Sequence, residues 1–257
     1  MNLNLRTKLA LKIQHMIGWI TFPAWGGVLI ALMRFVARYR IPQLREIRRQ
    51  YKEIKKSTTQ PIVICSNHLT KIDSIIINWS FASVWSYMRS FKYFSWNLPE
   101  RANFYRNIVL RVLCYLGSCI PVDRGGDREA VKKSLDKLAW LLKKGHTITI
   151  FPEGTRSRTG RINPEGVAYG VGRLVRAVEN CKVVCVYLRS HSQDTYSGIP
   201  KRGSEFYLTM EAVEPKTEHS GLRATRDIAF QIIEKLKEME QEYFDRLGQG
   251  SMENSYA

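Results

Sequence analysis

The stretch CSNHLTKIDSII, residues 65–76, sets His68 and Asp73 five positions apart between two apolar runs. A neutral imidazole can take a proton from a hydroxyl when a carboxylate holds its other ring nitrogen and stabilises the imidazolium that forms. On one continuous helix the two side chains would stand about 140° apart, so contact between them needs a turn. Thr70 offers one, because as an N-cap it would place Asp73 at the third helical position. The same placement admits a purely structural reading, since T-x-x-D is a capping-box pattern in which the acid satisfies backbone donors.

A second stretch, FPEGTRS, brings together Glu153, Gly154, Thr155 and Arg156, with Arg158 just beyond. A strand that ends in Pro-Glu-Gly and is followed by two arginines in a polar turn suits recognition of an anion. Taken singly, a local pair of Glu153 with Arg156 and a solvated run of arginines explain these residues equally well. Ser66, two residues before His68, lacks the G-x-S-x-G elbow of an acyl-serine nucleophile. The other histidines, His15, His146, His191 and His219, are scattered singly and none joins Cys or Asp at a ligand spacing, so no metal is expected.

Regular elements must hold these residues in place. PIVICSN is a β-branched run ending in turn chemistry, and SIIINWSFASVW reads as a buried helix. GSCIPVDRGG offers a strand and a Gly-rich turn, after which Asp127 caps a helix whose apolar stripe is Val131, Leu135, Leu138, Leu141 and Leu142, with Gly145 at its stop. HTITIF runs directly into FPEGTRS. KVVCVYL and EFYLTMEAV are two more strands, and an amphipathic helix spans about 222–247. The alternation predicts an α/β fold, a mixed β-sheet covered by helices. His68 and Glu153 then both follow strand carboxyl ends, where ligands usually sit in open sheets.

With 257 residues, 44% of them hydrophobic, the chain suits one well-packed domain with a short appendage. Its net charge is +17, and residues 1–60 hold 12 Lys/Arg against 2 Asp/Glu, which points to a polyanionic partner. Those cations flank an uncharged stretch, Met16 to Met33, so the pattern favours an anionic membrane surface over nucleic acid. As a helix this stretch would measure about 27 Å, just short of a hydrocarbon core of about 30 Å. Pro23, Gly26 and Gly27 interrupt it, so a hairpin or an in-plane anchor fits as well as a span. Trp19, Phe22 and Trp25 suit either the headgroup boundary or buried packing.

No cleavage site follows the apolar stretch, while Arg34, Arg38 and Arg40 do, so it is read as a retained anchor with the remainder on the cytoplasmic face. The five cysteines form no CxxC pair and read as reduced thiols. The expected division is residues 1–55 as basic, apolar membrane-anchoring helices, 56–247 as the catalytic domain and 248–257 as a disordered tail.

NHLTKID together with FPEGTRS resembles the glycerophospholipid acyltransferase family, that of the bacterial 1-acyl-sn-glycerol-3-phosphate acyltransferases, over roughly Pro61 to Val213. The resemblance implies transfer of a fatty acyl group from acyl-coenzyme A or acyl carrier protein to a lysophospholipid, giving phosphatidic acid, with no cofactor. It implies His68 as the general base held by Asp73, and substrate binding by Arg124, Glu153, Gly154, Thr155 and Arg156, with Arg158 as a further phosphate ligand. Arg124, in GSCIPVDRGG, matches a family arginine that helps hold the acceptor's phosphate. The oxyanion donors would be backbone amides near Gly154 or after Thr70. Two departures stand out: Cys185 replaces an expected proline in KVVCVYL, and WNLPERANFYRN replaces a usual lysine-glutamate-leucine segment. Two rival readings are a lysolipid acceptor without phosphate and a non-catalytic basic protein that binds acidic lipid or nucleic acid.

Overall fold

Four apolar, β-branched runs build one sheet in the computed structural model, which describes residues 3–123, 126–178 and 180–253. They are β1 (Ile62–Ser66), β2 (Ile148–Ile150), β3 (Lys182–Ser190) and β4 (Phe206–Val213), in the order β2-β1-β3-β4. β1 is parallel to both neighbours, with Cys65 opposite Ile150 on one side and Cys185 on the other, while β4 is antiparallel to β3. The sheet is therefore mixed, as the alternation predicts. β1 and β3 are central and buried on both faces, which explains why IVICS and VVCVYL carry no polar alternation.

Helices cover both faces. The long α1 (Leu5–Ala31) continues into a π-helical turn, Leu32–Val36, and is followed by α2 (Leu44–Lys56), α3 (Asp73–Phe81), α4 (Val84–Arg89), α5 (Arg101–Phe104) and α6 (Ile108–Leu116). After these come α7 (Arg128–Lys143), α8 (Gly170–Ala177) and α9 (Gly221–Glu253). Val63, Cys65, Ile148, Val183 and Cys185 face a core shared with α7, α8 and α9. Ile62, Ile64, Val184 and Val186 face the opposite core, shared with α2 and α3. Asp127 caps α7 by accepting the Glu129 amide, and Gly145 takes a positive φ of 79° just past its end.

The structure corrects two expectations and narrows a third. Among its described residues GSCIPVDRGG contributes no strand: Cys119 and Val122 make only isolated bridges with Asn97 and Glu100. Pro99 and Pro121 each remove a ladder donor there, and β2 beside them is three residues long. SIIINWSFASVW is two helices, because Ala82 is extended between α3 and α4. The apolar N-terminal stretch is one continuous helix through Pro23, Gly26 and Gly27, not a hairpin. Packing overrides the local breakers, since Leu11, Gln14, Gly18, Phe22 and Gly26 are all buried along one side. Leu5–Val36 is long and apolar enough to cross a membrane by length and composition.

Candidate active site

β1 ends at Ser66, and Asn67 extends its pairing with a side chain in place of backbone. The Asn67 amide donates to the Leu188 carbonyl (2.9 Å) and accepts the Leu188 N–H (2.8 Å), stitching the loop to β3. His68 therefore leaves the sheet from a fixed point. Its Nδ1 lies 3.0 Å from Asp73 Oδ2. That oxygen also accepts the backbone N–H groups of Leu69 (2.7 Å) and Thr70 (2.8 Å), while Oδ1 accepts the Thr70 hydroxyl. The structural and the chemical readings of this acid are both realised: it organises the turn, and it holds the imidazole. Asp73 is the first residue of α3 rather than the third, with Thr70 hydrogen-bonded to it instead of capping the helix. A carboxylate can only accept at Nδ1, so Nε2 keeps the free lone pair.

FPEGTRS closes on the same histidine. Phe151 stacks on the imidazole, ring centroids 4.1 Å apart and 19° between planes. Glu153 Oε1 accepts the His68 N–H (2.9 Å), and the Ser157 N–H donates to the His68 carbonyl (2.9 Å). Both backbone groups of His68 are thus held by the second motif. Glu153 is buried, and burial pushes its carboxyl up from 4.5 to about 8, against the opposing effect of the His68 hydrogen bond, with the Glu240 and Asp73 charges raising it further. Gly154 sits at φ 68°, and a Cβ there would come within 2.9 Å of the Ala168 Cβ, so both conformation and space require glycine.

Thr155, Arg156 and Arg158 line one cavity with His68. Arg156 donates to the Ser197 carbonyl (3.0 Å) and lies over the Tyr196 ring, 5.3 Å from its centroid. Arg124 lies outside the described residues. The backbone donors named for an oxyanion are engaged within the turns: the Gly154 N–H with the Phe151 carbonyl (3.0 Å), the Lys71 N–H with the Gly198 carbonyl (3.1 Å), and those of Leu69 and Thr70 with Asp73. Donors from side chains remain, and one of them, Lys71, was not singled out from sequence. It lines the cavity beside His68 and is exposed at its mouth. Its only sequence signal was its place inside NHLTKID.

Away from this polar end the cavity is apolar. It holds about 560 Å³, in the range of small-molecule sites, and its walls include Phe22, Leu29 and Met33 of the N-terminal helix, Ile75 and Trp79 of α3, and Leu113 of α6. The apolar N-terminal helix is therefore also a wall of the site. A faint sequence trace of this exists in Gly18, Phe22 and Gly26, four apart on one helical side. Gly26 leaves the room that the Phe22 ring fills, since a Cβ there would come within 2.6 Å of it.

The arrangement can remove a proton from a hydroxyl at the junction of a cationic rim and an apolar cavity. A family model described as Acyltransferase matches residues 46–189, a span that holds NHLTKID, FPEGTRS and the strands that carry them. No curated protein matches the chain.

Proposed function

This chain belongs to the acyltransferase family, and we propose that it acylates the free hydroxyl of a 1-acylglycerol 3-phosphate, with an acyl thioester as donor, giving phosphatidic acid. The observation that carries the reading is the placing of the His68–Asp73 pair where Lys71, Arg156 and Arg158 meet an apolar cavity. A phosphate, a nucleophilic hydroxyl and a fatty chain are the three parts of such a lipid, and each has a matching surface there.

His68 Nε2 takes the proton of the acceptor hydroxyl as its oxygen attacks the thioester carbonyl carbon. Asp73 stabilises the imidazolium, so charge separation costs less than in water. The tetrahedral intermediate collapses by breaking the carbon–sulfur bond, and the imidazolium returns its proton to the leaving thiolate. No covalent enzyme intermediate is needed. Lys71 and Arg158 supply positive charge for the phosphate and the developing oxyanion. Acyl-coenzyme A and acyl carrier protein are both acidic donors and both suit a basic surface. The free cysteines agree with a reducing compartment and so with the cytoplasmic face of a membrane.

One observation favours a second acceptor class. One N–H of Arg156 bonds the Ser197 carbonyl and the guanidinium covers Tyr196, so this arginine is held in place without a phosphate. The test is acyl transfer from each donor to lysophosphatidic acid and to lysolipids lacking the phosphate, by detergent-purified protein and its His68→Ala variant. Transfer to lysophosphatidic acid that falls by about 10²–10⁴ in the variant is the expected result. Transfer only to the uncharged acceptors would move the substrate, and absence of transfer with every pair by folded protein would refute the reading.

A further inference from the structure

The helix α6 is nearly bare. Its sequence, IVLRVLCYL, buries only Cys114. Ile108 is 66% and Val109 60% exposed, while Leu110, Val112, Leu113 and Tyr115 lie between 38% and 49%. Such values leave roughly 500 Å² of apolar surface uncovered on one short helix, as much as the largest patch of a typical soluble monomer. α6 also packs closely on α1. A Cβ on Gly18 would come within 2.7 Å of the Leu116 carbonyl oxygen, and Gln14 Nε2 donates to the carbonyls of Tyr115 and Cys119 at 3.0 Å each. The outer side of α1, opposite its buried residues, leaves Leu9, Met16 and Ile20 exposed as well.

The charge around these helices has one sign. Neither residues 1–45 nor residues 101–122 contain an Asp or Glu, whereas Arg6, Lys12, Arg106 and Arg111 are all exposed there. Glu100 and Asp123 flank the second range and are held by Asn103 and Arg101, so the excess charge beside this apolar surface is positive and suits an anionic lipid monolayer. We propose that α6, together with the outer side of α1, is a bilayer-seating face, with both helices lying in the plane of an anionic membrane and the arginines at headgroup level.

The geometry of α1 argues for lying over spanning. It buries Leu11, Gln14, Gly18, Phe22 and Gly26 against the domain turn after turn, so it could not cross a bilayer without carrying the domain inside. Leu110 and Leu113 both face outward in part and line the cavity that ends at His68. The seated face and the cavity wall are thus one helix, and a lysolipid can pass from the monolayer to the base without crossing bulk water. This deepens the proposed acylation of a membrane lipid, but its test reads membrane binding and not turnover, so either proposal can fail alone.

The experiment is flotation of the full chain with vesicles of phosphatidylglycerol and phosphatidylethanolamine, and with phosphatidylcholine alone. Ile108→Ser/Val109→Ser/Val112→Ser alters exposed residues that do not line the cavity. It is expected to weaken binding to the anionic vesicles about tenfold or more and to leave the remainder salt-sensitive, while Val109→Trp keeps wild-type binding. In the unmodified protein, amide exchange across residues 108–116 is expected to slow when anionic vesicles are added, a readout that stands even where the triple variant fails to fold. Equal binding by a folded triple variant, or unchanged exchange at 108–116, overturns the proposal. So does a wild-type dimer that the triple variant abolishes, because a second copy of the chain would then be what covers α6.

Discussion

Replacing Asp73 by asparagine separates the two tasks this residue performs. Oδ2 receives three donors, His68 Nδ1 at 3.0 Å and the Leu69 and Thr70 amides at 2.7 and 2.8 Å. An asparagine oxygen can keep all three, and its NH₂ group can donate to the Thr70 hydroxyl, so shape survives while the charge goes. For an imidazolium and a carboxylate with charge centres about 4 Å apart at an effective dielectric constant of about 20, the lost attraction is about 4 kcal/mol. That attraction exists only once His68 is protonated, in the transition state, so kcat should fall about 10³-fold. KM for the lysolipid should hardly change, because Asp73 faces the imidazole and the turn rather than the acceptor. The hydrogen bonds to the turn become neutral instead of charge-assisted, which costs on the order of 2 kcal/mol and lowers Tm by about 4–8 °C. Steady-state acyl transfer and a thermal melt measure both effects on one preparation. A kcat within tenfold of wild type, in a variant that melts as expected, would refute the assignment of Asp73 as the partner that stabilises the imidazolium.

Glu153→Gln tests the neutral carboxyl. With a folded value of about 8 against an ordinary 4.5, the native state holds a proton that the unfolded chain releases between those values. The contribution is fully present below pH 4.5 and is lost as pH rises through about 8, worth on the order of a few kcal/mol. His15 and His146, lowered to about 4 and about 3 by burial, slope the opposite way below pH 6.5, so the quantity to measure is wild type minus Glu153→Gln by urea denaturation. This difference should fall steadily between pH 5 and 8 and level off above, and a flat difference would contradict the buried protonated acid. Lys71→Met removes an exposed cation from the cavity mouth. It should raise KM for lysophosphatidic acid about fivefold at low salt, with kcat nearly kept and acceptors lacking phosphate unaffected, as read from initial rates against acceptor concentration.

The strands were legible because β1 and β3 are buried on both faces, and unbroken runs such as IVIC and VVCV have few other uses in a chain of this length. The strand expected at GSCIPVDRGG failed for a reason that periodicity cannot register: Pro99 and Pro121 limit that edge to single bridges. The His68–Asp73 contact needed only a local turn, and the turn is encoded within NHLTKID itself. Lys71 and the closure of the Ser197–Gly198 loop over that motif depend on approach from distant parts of the chain. The same holds for α1, which is apolar on every side, so its sequence gives little sign of which side is buried. Its role as a cavity wall comes from α4 and α6 packing onto it, and only Gly18 and Gly26 mark that side.

The two acids at His68 are set apart by their surroundings. Asp73 collects donors from a hydroxyl, two amides and the imidazole, an environment built to hold negative charge. Glu153 has one amide donor, lies near two other acids and is desolvated, so it stays protonated at neutral pH. This difference matters for catalysis. With Glu153 neutral, Asp73 is the acid that presents negative charge to the imidazole. A neutral Glu153 can still accept the His68 N–H and so lock FPEGTRS onto the base. It supplies position without charge, while Asp73 supplies charge where the transition state needs it.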